Sequence, residues 1–167
     1  MAHLPEPTEQ QRSQARTPHD IFVINLIGNH MLLFAGIATL GQSYMKYLLI
    51  VPALSALSLL VIFYKSSTMR REDNEFAYIH WQIARRWSKF LSWMLVLMVA
   101  GFAFGWVGHT YLGMMREAVY AIVGGVSILP TLVTVFVLIV IESDALHHAR
   151  VGTLPRWAKV KYFGVED

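Results

Sequence analysis

Glu142, Asp144, His147 and His148 form the densest run of carboxylates and imidazoles in the chain. Asp144 stands three residues before His147 and four before His148, spacings that put a carboxylate and an imidazole on one helical face. Such a pair could share a proton or offer ligands to a metal ion. A metal centre would need more ligands, and His80 or His19 are the imidazoles available on the same side of the membrane. The spacing is not that of an HExxH motif, and the absence of cysteine removes thiolate ligation, disulfides and cysteine nucleophiles together. The run reads as a solvated helix end with local pairing, and no metal ligand is assigned.

Asn25, Asn29 and His30 are the most polar group inside any apolar run. The two asparagines lie one helical turn apart and share a face, with Gly28 and His30 beside it. Lipid offers such side chains no partners, so they must find them on a neighbouring helix or line a polar path with Ser55 and Ser58. Amides are common glue between membrane helices, and that reading is preferred. Haem held between two histidines fails on depth. His30 lies roughly 13 Å into the first helix at 1.5 Å per residue, whereas His109 falls near the far end of the third and His147 and His148 beyond the fourth. No cofactor is therefore expected. No nucleophile–base arrangement or phosphate-binding glycine loop is present, and no catalytic residue is assigned.

Gly101, Gly105 and Gly108 make a small-residue stripe that lets helix backbones approach closely, and mark a helix-packing face. Ala121 and Gly125 form a second pair at the same spacing. Pro130 interrupts the hydrogen-bond ladder of the fourth run, with Thr131 and Thr134 placed to re-satisfy freed carbonyls.

These residues sit on a chain of 167 residues that is 55% apolar and 15% charged, with the apolar residues gathered in runs. Four runs, at about 21–41, 48–64, 90–112 and 118–141, approach or exceed the length needed to cross a hydrocarbon core of about 30 Å. Residues 1–20 read as a flexible leader, 65–89 as a basic link between two hairpins, and 142–167 as a basic tail whose first part continues the fourth helix. The asparagines and the long polar leader argue for an uncleaved first span rather than a signal peptide. Within the link, Phe76, Ile79, His80, Ile83 and Trp87 recur at helical spacing, with Glu75, Gln82, Arg85, Arg86 and Lys89 opposite. That pattern suits a helix lying at the headgroup level, or equally the first turns of the third span.

Lys46 and Arg116 are the only two of the 14 basic residues outside the leader, link and tail. This asymmetry places both termini and the link in the cytoplasm if the membrane is a bacterial inner membrane. The pI near 9.3 follows from basic residues beside membrane segments, where anionic headgroups are nearer partners than nucleic acid. Arg70, Arg71, Arg85 and Arg86 are the candidates for headgroup contact or cytoplasmic docking.

The expected fold is an all-α integral membrane protein, four transmembrane helices in two hairpins, with an interfacial amphipathic helix before the third span. The expected function is a non-catalytic subunit of a larger respiratory, transport or secretion complex, its partners the bilayer and other membrane subunits or copies of itself. The alternatives are a small homo-oligomeric transporter or channel using the Asn25, Asn29 and His30 face, and a haem-bearing electron carrier.

Overall fold

In the computed structural model, which describes residues 6–164, four long helices and one short one pack into a bundle. Helix α1 (Glu9–Thr39) opens on a capping box. The Thr8 hydroxyl accepts from the Gln11 amide, and the Gln11 side chain accepts from the Thr8 amide at 2.9 Å. The helix therefore starts well before the first apolar run. Residues 9–20, expected as part of a flexible leader, are its first three turns, because Ala15, Pro18, His19 and Phe22 form a buried stripe at helical spacing. Residues 1–5 of that leader, and 165–167 of the tail, lie outside the described residues.

Through Ile24–Leu33 the helix widens to i→i+5 hydrogen bonding. Residues four and five apart then share a face, which brings Asn25, Asn29 and His30 together. Gly41, at φ 94°, turns the chain into a tight helical stretch, Gln42–Leu49, that leads into α2 (Ile50–Thr68).

Helix α3 (Glu75–Tyr111) is unbroken for 37 residues, about 55 Å at the usual rise. Asn74 caps it, its side-chain oxygen accepting from the Ala77 amide at 3.0 Å. The amphipathic stretch is thus the first turns of this helix and not a separate element on the membrane surface. Its apolar face is covered by protein: Phe76, Ala77, Ile79 and Ile83 pack with Ala15 of α1 and with Ala145, Ala149, Leu154 and Ala158.

Helix α4 (Arg116–Val151) widens in the same way at Val123–Ile128, immediately before Pro130. The proline has no amide hydrogen and its ring crowds the carbonyl four residues back, so the looser turn relieves both problems. The helix continues past Glu142 and stops at Gly152, whose φ of 79° is left-handed. A Cβ there would meet Pro7 Cγ at 2.9 Å and Arg12 Nε at 3.0 Å. The tail then forms α5 (Arg156–Phe163), which folds back so that Trp157, Tyr162 and Phe163 cover the core at the basic end.

A second core lies further along the bundle, with Phe22 and Leu26 of α1, Leu59 and Ile62 of α2, Leu91 and Leu95 of α3, and Val135 and Leu138 of α4. Both cores belong to the half of the bundle nearer the basic residues. At the opposite end, α3 meets α4 along its glycines.

Candidate functional site

Three ionisable side chains remote in sequence meet in the first core. His19, His80 and Glu142 are each 0% exposed. His19 falls on the α1 stripe of Ala15 and Phe22, and His80 on the α3 stripe of Phe76 and Ile83. Glu142 falls on the α4 stripe of Val135, Leu138, Ala145 and Ala149. Helical periodicity turns all three inward with the apolar residues around them.

Their geometry fixes where most of the protons lie. The Thr153 carbonyl can only accept, so His80 Nε2, 3.3 Å away, carries a hydrogen. Burial, reinforced by the neighbouring His19, pushes the His80 imidazole down to about 3, so its ring is neutral and Nδ1 is an acceptor. His19 Nε2, 2.9 Å from that atom, must then donate to it. One proton remains between His19 Nδ1 and Glu142 Oε2, 2.6 Å apart. The array is neutral as a whole, either as carboxylate with imidazolium or as two uncharged groups, and it ties α1, α3 and α4 together. The other carboxylate oxygen, Oε1, is buried and meets no donor among the described residues.

The rest of the acidic–imidazole run separates from Glu142. His148 is 3.8 Å from Asp144 and its Nδ1 is 2.7 Å from the Thr153 hydroxyl, both at the helix end. His147 is exposed beside it. Glu142 therefore departs from the expected solvated helix end, because the helix continues and its inward face passes through that position. Among the described residues no three His, Asp or Glu side chains are arranged to hold a metal ion.

Asn25, Asn29 and His30 form a second buried network, between α1 and α2. Asn25 donates to the Ser55 hydroxyl at 3.0 Å. Asn29 donates to the Asn25 side-chain oxygen at 3.1 Å and to the Val51 carbonyl at 2.7 Å. His30 Nε2 lies 2.9 Å from the same Ser55 hydroxyl. Ser58 stays out of this network and donates to the Leu54 carbonyl of its own helix.

Gly101, Gly105 and Gly108 face the start of α4 and the turn before it. A Cβ at Gly101 would strike Ser127 Oγ, one at Gly105 would meet the Val123 side chain at 2.9 Å, and one at Gly108 would strike the Met114 sulfur. Nothing lies within 4 Å of such an atom at Gly125. Thr131 donates to the Ser127 carbonyl at 2.8 Å, one turn back.

The four candidate arginines divide. Arg70 is exposed in the loop before α3, and Arg71 is ion-paired with Glu75. Arg85 and Arg86 line a groove at the basic end with Gln82, Lys89, Lys161 and Tyr162.

These features define an all-helical protein with four helices long and apolar enough to cross a membrane. No protein-family model matches the chain, and no curated protein or solved structure does either.

Proposed function

We propose that this chain is a non-catalytic integral subunit of a larger inner-membrane assembly, of the respiratory, transport or secretion kind, with both termini cytoplasmic. The observation that carries the reading is the uneven cover of α3. This helix touches all three other long helices, yet only 11% of its most apolar stretch is buried, against 33% for α1 and 28% for α4. Val99, Phe102, Phe104 and Trp106 are left outward along its second half. An aromatic-rich surface on a helix that touches three others suits packing against a partner's helix.

The polar groups support the same reading. The amides and His30 bond within the chain, and His19, His80 and Glu142 lock three helices, so both networks act as internal fasteners. A transport path would need Ser55 and Ser58 on one polar surface, and Ser58 is satisfied on its own helix.

The test is the native mass of the tagged chain extracted in a mild detergent, with co-purifying chains identified. Other proteins in fixed stoichiometry support the subunit reading. A homo-oligomer of about three to six copies replaces it with the transporter reading. A lone monomer means that lipid alone covers α3, and overturns both.

A further inference from the structure

The groove between α3 and α5 has a composition that calls for an anion. Arg85, Arg86, Lys89 and Lys161 line it together with Gln82 and Tyr162, and among the described residues no carboxylate does. It is open to the surface, with a volume of about 480 Å³, room for more than a bound water. Two of its members are fixed from within the protein. Gln82 donates to the Ser66 carbonyl at 2.8 Å, and Arg86 stacks on the rings of Trp157 and Trp87, 4.9 and 5.4 Å from their centroids. Arg85 is not fixed in this way. Its Nε is buried and meets no acceptor among the described residues. A buried guanidinium nitrogen left without an acceptor is costly, so the Arg85 side chain gains by shifting outward to meet a phosphate oxygen in the groove.

The groove's position selects the source of that phosphate. Lys89 is the last charged residue before the uncharged stretch of α3 that begins at Phe90. The groove therefore opens at the level where a helix entering a bilayer passes the headgroups. Beyond it, Trp93 and Val96 are outward on α3, an apolar surface on which acyl chains can lie.

We propose that this groove is a binding site for an anionic phospholipid. Its phosphate groups sit among Arg85, Lys89 and Lys161, and its acyl chains run over Trp93 and Val96. The four cations exceed the single charge of a phosphatidylglycerol, so a lipid with two phosphates joined by a glycerol fits best. The site requires a bilayer around the bundle but no partner subunit, so it stands or falls separately from the assembly reading.

The test uses the full-length protein in detergent, titrated with phosphatidylglycerol or cardiolipin and read by native mass spectrometry. Phosphatidylcholine is the zwitterionic control. Losing two cations that contact the phosphate removes charge-assisted hydrogen bonds and costs on the order of tenfold or more in lipid affinity. R85Q/K89Q should show that loss, K65Q/R70Q, of equal charge change outside the groove, should stay within about twofold, and R85K/K89R should recover most of the binding. Should R85Q/K89Q not fold, K161Q on the exposed side of α5 carries the same comparison. Equal weakening by both charge-neutralising pairs would reduce the site to general surface attraction and overturn it. Displacement of the lipid by millimolar glycerol phosphate would show a free-anion site instead. Equal retention of phosphatidylcholine would show no headgroup selection at all.

Discussion

A neutral array that shares one proton between a carboxylate and an imidazole can fail by losing a member or by gaining a proton. Replacing Glu142 by Leu leaves His19 Nδ1 without its partner inside the first core, and breaking a buried pair from one side costs about 3–5 kcal/mol. Glu142→Gln keeps a partner for that nitrogen, its amide N–H donating to the neutral ring, and should cost less than half as much. Thermal unfolding in detergent should rank wild type above E142Q and E142Q well above E142L. Near-equal melting temperatures for the two variants would mean that only volume matters at this position.

Acid attacks the same array from the other side. An unfolded His80 takes up a proton near its ordinary value of 6.5, whereas the buried ring resists until about 3. A second hydrogen on its Nδ1 would point at the hydrogen already donated by His19. Between those values the unfolded chain holds more protons, so stability is complete above about 6.5 and falls as pH drops toward 3. His19 faces His80 directly, Glu142 reaches it only through His19, and His148 acts on it from the helix end. Melting temperature measured from pH 7.5 down to 4.5 should fall in the wild type and fall less steeply in His80→Asn. Parallel slopes would assign the acid sensitivity to other groups.

At the scale of elements, the α3–α4 contact depends on missing side chains. A methyl group at Gly101 would strike Ser127 at both Oγ and Cβ, the latter at 2.9 Å, so the two helices must separate or the serine must move. Gly101→Ala should therefore destabilise the bundle by about 1–3 kcal/mol, the usual cost of overpacking. Removing the obstacle in G101A/S127G should return most of that loss, which a double-mutant cycle would register as coupling. Gly125→Ala, where the added atom meets nothing, should be neutral or slightly stabilising because alanine favours helix. Equal effects at Gly101 and Gly125 would mean that backbone propensity and not contact sets the cost.

The same elements show what could be read from sequence. The four long helices and the run from Glu142 to Arg150 were legible because uncharged stretches and helical spacing are local signals. The start of α1 was not, since a dozen polar residues look like a leader until Ala15, Pro18, His19 and Phe22 are read as one stripe. The widened turn at Ile24–Leu33 was also hidden. It lets His30 join Asn25 and Asn29 at Ser55, and no residue type announces i→i+5 bonding. The meeting of His19, His80 and Glu142 spans more than a hundred residues and depends on helix order, although each lies on an apolar stripe that the sequence displays.

For the whole molecule, the polarity of the bundle can be tested directly, because the chain has no native cysteine to blur a single introduced thiol. Exposed positions lie at both ends of the bundle: Ser67 and Arg150 at the basic end, Lys46 and Gly113 at the other. If charge asymmetry sets the orientation, S67C and R150C lie in the cytoplasm and K46C and G113C outside. A membrane-impermeant maleimide applied to cells with an opened outer envelope should label K46C and G113C at once. It should label S67C and R150C only after the inner membrane is permeabilised. The reverse pattern would invert the protein and carry the Arg85–Lys161 groove to the outer leaflet. Labelling of all four before permeabilisation would remove the bundle from the membrane. The orientation also decides which leaflet supplies lipid to the groove, so this experiment constrains the binding site as well as the topology.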